Sequence, residues 1–283
     1  MSPNALSNES SIGLGILSWK GGDSLKSSLE SYQKHHLFSL FDEKIVFLPE
    51  QGEYETKIAQ SHDLSVFGNP QNLGILGGFK ALAESMTSEY VLLLENDCPL
   101  IEDFTEAQKQ ITLATHLLSS NQAHIVRLRH REYAGEDWSV LRKYRGLYSA
   151  HDALWHIKLK SFMHRLLRPK KASRLKGWSI YSPESKGKSL FPDAVPYYKE
   201  NDYYLVDSAY LPWTNQSILL KRDFFLDIII RYAEMAQTKR RINGFRNLEI
   251  EMNSAFWRQG HFKICVPKGL FTHRRIGDRG YEI

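Results

Sequence analysis

The chain is predicted to fold as an α/β protein with a mostly parallel central sheet flanked by helices. Three observations predict it. Short β-rich runs alternate with stretches of helical periodicity from Ile12 to Leu128. The run Tyr90-Val-Leu-Leu-Leu94 is apolar without alternation, as a strand buried on both faces requires. It breaks off at Glu95-Asn96-Asp97, delivering carboxylates to a strand end, where open α/β sheets bind ligands.

The elements follow in order. Ile12–Trp19 is an apolar run stopped by Lys20-Gly-Gly, a first buried strand feeding a loop. Asp23 or Ser24 caps a helix with Leu25, Leu29 and Tyr32 at helical spacing. Lys44–Leu48 is a second strand ended by Pro49, and Leu64–Phe67 a short third. A glycine-bearing turn after Asn72 opens a helix with Ile75, Phe79, Leu82, Ala83 and Met86 on one face, followed by the strand that ends at Asp97. Phe104–Leu118 reads as a helix and His124–Leu128 as a strand. Residues 131–205 are aromatic, basic and Pro-punctuated, with no clean period, and read as an insertion or lid. Beyond them come a strand-like run at Tyr210–Leu220, a helix from Asp223 to about Gln237, and a helix over Asn247–Trp257. The last of these carries Leu248, Met252, Ala255 and Phe256 on its apolar face. Phe262–Val266 is the last strand, and a Gly, His and Arg-rich tail follows.

With 283 residues the chain can bury a substantial core, read as one domain over residues 12–283 behind a disordered polar tail at residues 1–11. Apolar content of 42% excludes wholesale disorder. No apolar run approaches the ~18 residues that span a bilayer, and the N-terminus lacks a signal-peptide pattern. Cys98 and Cys265 are the only cysteines, too few for a disulfide framework, which favours a reducing, cytoplasmic setting. The net charge of +5 is local in origin. Between His156 and Lys188 stand ten Lys or Arg against Glu184 alone, so the rest of the chain nets −4.

Glu95 and Asp97, at i and i+2 of an extended chain, point the same way and can share one cation, which Mg²⁺ would complete with phosphate and water. An ordinary polar turn is the plain alternative. The run Asn72-Leu-Gly-Ile-Leu-Gly-Gly-Phe, an Ala-rich helix, then Glu89-Tyr-Val-Leu-Leu-Leu-Glu-Asn-Asp97 resembles the core of family-2-type glycosyltransferases with the GT-A fold. The resemblance covers about two thirds of the chain and omits residues ~130–205. It implies a metal-dependent, inverting transfer of sugar from a nucleotide-sugar donor to a glycan or glycolipid acceptor, as in polysaccharide biosynthesis, with Mn²⁺ or Mg²⁺.

Residue by residue, it implies that Asp97, at a solvent-facing strand end, holds the metal. Glu95 stands where the family usually has Asp, and His273 completes the metal shell. Ser18, Trp19, Glu50, Asn72, Gly78, Lys80 and Asn96 join Glu95 around the donor. Glu50 replaces an Asp-rich turn, Lys80 is equally a solvated helix lysine, and Trp19 equally a core residue. Arg274 or Arg275 neutralises the leaving diphosphate. Glu249 aligns with the acid that activates the acceptor hydroxyl, and Glu251 matches a second acid; apart from the resemblance, Asp137 and Asp207 are next in line as the base. The runner-up enzyme is a nucleotidyltransferase, of which Lys20-Gly21-Gly22 is a poor signature, and a non-catalytic sugar- or lipid-binding protein is the other class. The basic segment 158–188 includes Phe162, Leu166, Leu167 and Trp178, suiting contact with anionic lipid or an acidic acceptor; a solvated insertion is the plain reading. No helix-turn-helix, zinc or RNA-binding signature is present, so nucleic acid is not an expected partner.

Overall fold

The computed structural model describes residues 11–136, 139–148, 153–236 and 238–277. β1 (Ile12–Leu17), α1 (Gly22–Lys34), β2 (Glu43–Pro49), α2 (Glu53–Gln60), β3 (Ser65–Asn69), α3 (Gly74–Glu84) and β4 (Tyr90–Glu95) build the first half. Their strands lie in the order β3-β2-β1-β4, all parallel. Alternate residues enter two cores. Leu14, Ile16, Val46, Leu92 and Leu94 pack on the α1 face with Leu25, Leu29 and Tyr32. Ile45, Phe47, Val91 and Leu93 pack on the other with Phe79, Leu82 and Met86 of the α3 segment. Burial on both faces is why these strands read as unbroken apolar runs. Leu76 joins the α3 face as a buried residue, and Ile75 packs half-buried against the same core. Ser11, expected in the tail, instead extends β1: its carbonyl accepts from Tyr90 N at 3.0 Å. Residues 1–10 lie outside the described residues.

α4 (Phe104–Ser119) leads to β5 (Ile125–Arg127). Residues 131–205 then form α5 (Ser139–Leu147), α6 (Trp155–Leu167), α7 (Pro169–Ser173), several 3₁₀ turns and β6 (Tyr197–Tyr198), before β7 (Tyr203–Asp207). The insertion limit drawn at 205 therefore falls inside a strand. Leu141, Tyr144, Leu147, Leu175, Trp178, Ile180 and Val195 join the core on the α3 face of the sheet, so this segment completes the fold's interior.

β8 (Ile218–Lys221) is inserted antiparallel between β4 and β5, and β9 (Lys263–Val266) runs parallel to β5. β7 and β6 finish that edge, and seven of the nine strands point the same way. The predicted strand at Tyr210–Leu220 shrinks to β8. Upstream of it the chain loops through Pro212, and Ser217 takes a positive φ of 53°. The helix expected from Asp223 begins as a π-helical stretch over Phe224–Ile230 and continues as α8 (Arg231–Met235); Gln237 lies outside the described residues. The helix expected over Asn247–Trp257 is two, α9 (Leu248–Met252) and α10 (Ala255–Gln259). Asn253 makes the break. Its side chain donates to Glu249 O at 2.7 Å and accepts from Trp213 N at 3.0 Å, competing with helical hydrogen bonds. Leu248, Met252 and Trp257 are buried, whereas Ala255 is exposed and Phe256 half-buried.

Candidate active site

The parallel strands end in register, Leu17 beside Glu95 and Pro49 beside Asn69, so their following loops share one rim of the sheet. Asn96 ties two of them together. Its buried amide donates to Ser18 Oγ at 3.2 Å and Gly21 O at 3.0 Å, while its carbonyl accepts from Ser28 Oγ at 2.8 Å. Tyr32 donates its hydroxyl proton to Cys98 O at 2.6 Å. Asn96 and Ser18, expected at the donor, thus brace the turn that presents Glu95 and Asp97. Burial holds the Cys98 thiol far above its ordinary pKa, leaving it protonated and inert.

His273 reaches this turn from the far end of the sequence. Residues 270–274 lie antiparallel to residues 97–101, with Ile101 N donating to Leu270 O, Thr272 N to Pro99 O and Arg274 N to Asp97 O at 2.9–3.1 Å. On the other side Glu136 N donates to His273 O at 3.1 Å. A Cβ on Gly135 would stand 2.1 Å from His273 O, and Gly135 has φ +81°, so glycine is required twice over. One ligand atom each from Glu95, Asp97 and His273 lies within 4.8 Å of the others. His273 Nε2 is 3.2 Å from Asp97 Oδ2, and its Nδ1 faces Glu136 Oε2 at 3.7 Å. Two hard carboxylates and an imidazole backed by an outer carboxylate fit Mn²⁺ well and Mg²⁺ acceptably.

Asp97 is fully buried, not solvent-facing, because the C-terminal segment covers it. Arg275 Nε lies 3.6 Å from Asp97 Oδ2, while Arg274 contributes its backbone and leaves its side chain exposed. Glu136, a partner of His273, was not foreseen; it sits in a stretch with no periodicity to mark it.

Beside the cluster lies a cavity lined by Leu17, Trp19, Pro49, Asn72, Gly74, Glu95 and Asn96. Trp19 Nε1 donates to Glu50 Oε2 at 2.7 Å, and Lys20 Nζ lies 3.1 Å from the same oxygen. The indole first and the ammonium second hold the Glu50 carboxyl below its ordinary range. Asn72 Oδ1 accepts from Gly74 N at 2.8 Å, fixing the turn. Gly78 does not line the cavity; a Cβ there would meet Leu17 at 2.8 Å, so it serves the packing of α3 on β1. Lys80 is directed elsewhere, to Glu234 at 2.6 Å and Glu84 at 3.9 Å.

A hairpin forms one wall of this cavity. Ile242 and Phe245 exchange backbone hydrogen bonds of 2.9 Å around Asn243 (φ 50°) and Gly244 (φ 79°), the positive pair of a type I′ turn. Phe245 sits on Gly74, where a Cβ would lie 2.5 Å from its own. Space of about 80 Å³ remains. Arg246 anchors the hairpin, donating to Glu234 O at 2.8 Å, to the Ala233 and Ala236 carbonyls, and to Glu251 Oε1 at 3.2 Å.

Glu249 and Glu251 have opposite surroundings. Asn247 caps α9, accepting from Glu249 N at 2.9 Å, which leaves the Glu249 side chain half-exposed. Its Oε1 accepts from Thr214 Oγ1 at 3.0 Å and Asn215 N at 3.2 Å. Glu251 is fully buried and spent on Arg246. Asp207 is engaged by the Ala209 amide at 2.7 Å and His261 at 2.9 Å. Asp137 lies outside the described residues.

No protein-family model and no curated protein sequence matches the chain. Its backbone matches solved structures. Staphylococcus aureus TarS 1–349 in complex with UDP-GlcNAc superposes with a TM-score of 0.51 at 9% identity, over 96% of this chain and 62% of that one. A further crystal structure of TarS 1–349 gives 0.50 at 10%, over 93% and 60%. A mycobacterial protein gives 0.50 at 13%, over 95% and 69%. The chain thus spans about three fifths of the TarS 1–349 chains. The likeness is one of fold, and it agrees with the sheet order and rim described above: this chain is an α/β protein with the GT-A fold.

Proposed function

We propose that the chain is a glycosyltransferase that moves a sugar from a nucleotide-sugar donor to a glycan or glycolipid acceptor, with inversion. The observation that carries this reading is the Glu95, Asp97 and His273 cluster at the rim of the parallel strands, beside the cavity of Trp19 and Asn72. One matched structure holds UDP-GlcNAc, which puts UDP-sugars first in a donor panel. Asp97, Glu95 and His273 would hold Mn²⁺ or Mg²⁺. Bound there, the cation offsets charge developing on the departing diphosphate. Arg275 adds positive charge on the same side. Trp19 and the Asn72 turn hold the nucleoside, and Glu249 takes the acceptor proton as the hydroxyl attacks the anomeric carbon from the opposite face. The test is Asp97→Asn, which keeps the buried shape and removes a metal-ligating charge. Transfer should fall at least a hundredfold while the circular dichroism spectrum is kept; near-normal activity in the same metal buffer overturns the reading.

We place the protein in the cytoplasm at a membrane surface, a setting supported by two buried free thiols and by α6. Among the described residues no helix is long and apolar enough to cross a membrane. α6 buries only Ser161 and exposes Trp155, Leu159, Phe162, Met163, Leu166 and Leu167. At 100° per residue these six fall on one arc, opposite Ser161, with Lys158 and Lys160 on its borders, while Ile157 is exposed on the other face. An apolar face turned away from its own protein and edged by cations suits the interface of an anionic bilayer.

A further inference from the structure

A second cavity, of about 640 Å³, meets the donor cavity at Ile242 and Asn247. That volume lies within the ~300–1,000 Å³ range of small-ligand pockets. Leu175, Pro212, Ile250 and Trp257 give it apolar walls, and Glu249 is the one acid that lines it. Five cations converge on it from separate parts of the chain: Lys143 of α5, Lys171 of α7, Arg174 just beyond, Arg240 before the hairpin and Arg258 of α10. Among the described residues none of the five forms an ion pair. Two of the five, Arg174 and Arg258, act on each other. Burial first, and the Arg174 charge second, hold the Arg258 guanidinium below its ordinary range, while its Nη1 is fixed on Asn253 O at 3.2 Å.

A cavity lined by five cations and a single acid carries a positive potential that concentrates an anion. We infer that this cavity is the acceptor site and that the acceptor carries a phosphate close to the hydroxyl that receives the sugar. The inference rests on the glycosyl-transfer reading and specifies its acceptor class. A carboxylate is saturated by one guanidinium fork, whereas a phosphate has oxygens enough for several cations, which five convergent side chains match. With the phosphate held by Arg174 and Arg258, a neighbouring hydroxyl reaches Glu249. Its proton passes to the Glu249 carboxylate and its oxygen bonds to the anomeric carbon. The bond from that carbon to the diphosphate breaks, the electron pair leaving on the diphosphate.

The test begins with binding by the full chain in EDTA, so that the metal site contributes nothing. Calorimetric titration with inorganic pyrophosphate should show saturable binding, about ten- to a hundredfold weaker in R174S/R258S and unchanged in K109S on the distant surface of α4. Should the double variant lose its circular dichroism spectrum, R240S on the exposed hairpin approach replaces it, with a weakening of severalfold. Absence of binding, or binding that both variants leave within twofold, overturns the proposal. A second arm supplies UDP-sugar and Mn²⁺ with glucose 6-phosphate, glucose, or phosphatidylglycerol vesicles. Product from a phosphorylated acceptor and none from glucose supports the proposal, and the productive arm tells a soluble phosphate from a lipid one. Product from glucose at an equal rate overturns it. Failure of transfer and donor hydrolysis in every arm strikes the glycosyl-transfer reading instead, and leaves the pyrophosphate result to decide the anion site.

Discussion

Glu249→Gln and Glu251→Gln, made side by side, separate proton transfer from architecture. In Glu249→Gln the new amide oxygen keeps both acceptor bonds made by Oε1, from Thr214 Oγ1 and Asn215 N, and the Asn247 cap is untouched. The site is half-exposed, so unfolding free energy should change by less than about 0.5 kcal/mol. What is lost is the basicity. General-base catalysis is typically worth ~10²–10⁴ in turnover, or about 3–5 kcal/mol of barrier. Two residues on, the same replacement removes charge from a fully buried carboxylate paired with Arg246 at 3.2 Å. Breaking a buried pair costs about 3–5 kcal/mol when nothing compensates. Arg246 is about a quarter exposed and keeps its carbonyl partners, so about 1–3 kcal/mol is expected. For a chain of this size the melting midpoint should fall by about 2–10 °C. Nucleoside-diphosphate release and product formation with an active donor–acceptor pair give turnover, and urea melts give stability. Glu249→Gln should be stable and slow, Glu251→Gln labile with turnover per folded molecule largely kept. The opposite assignment would refute the assumed register of α9, and two normal turnovers would place the base elsewhere.

Gly135→Ala should lower stability by several kcal/mol and abolish metal-dependent turnover together, because its Cβ would collide with the His273 carbonyl; a thermal melt near wild type contradicts that packing. His130 supplies a pH dependence. Its Nδ1 accepts from Glu132 N at 3.1 Å and Tyr133 N at 2.9 Å, so Nε2 carries the proton towards Glu102, and burial above all depresses its pKa in the fold. The unfolded chain takes up that proton first, so the stabilisation is present above about pH 6.5 and declines as pH falls below it. Urea midpoints at pH 7.5 and 5.5 should differ more in wild type than in His130→Gln, and equal differences would dismiss the assignment. Replacing Trp155, Leu159, Phe162 and Leu166 by Ser should abolish co-sedimentation with anionic vesicles and leave donor hydrolysis in solution unchanged; retained binding argues against α6 as the contact.

The sheet rim was legible because its signals are local. An apolar run with an abrupt acidic end needs no distant partner to be recognised, and Glu95 and Asp97 fall where that pattern puts them. His273 came from the resemblance, and the structure brings it to the same point through a ladder with residues 97–101. The rest depended on contacts far apart in sequence. Lys80 looked like a phosphate ligand only while Glu234 was out of sight, and Gly78 like a turn residue while Leu17 was. β6 is two residues long and β7 owes its place to β9, so neither shows a period of its own. The split between α9 and α10 turns on Asn253 finding Trp213. One signal did stand in the sequence unused: Asn243-Gly244, the dipeptide of a type I′ hairpin, flanked by Ile242 and Phe245.

That hairpin would act as a gate if the cavity takes a nucleotide. With Phe245 on Gly74, the space left beside the carboxylates is far smaller than a nucleotide, so on the glycosyl-transfer reading donor binding would require the hairpin to move. The apparent donor affinity would then be the intrinsic affinity scaled by the open fraction, and a change that loosens the anchor would raise it without touching a donor contact. Arg246 is that anchor, through α8 and Glu251. Because Ile242 and Asn247 also border the second cavity, a hairpin movement would alter the walls of both. Occupancy of either chamber by a ligand that favours the open hairpin strengthens binding in the other by the same factor, a reciprocity that equilibrium titrations read directly.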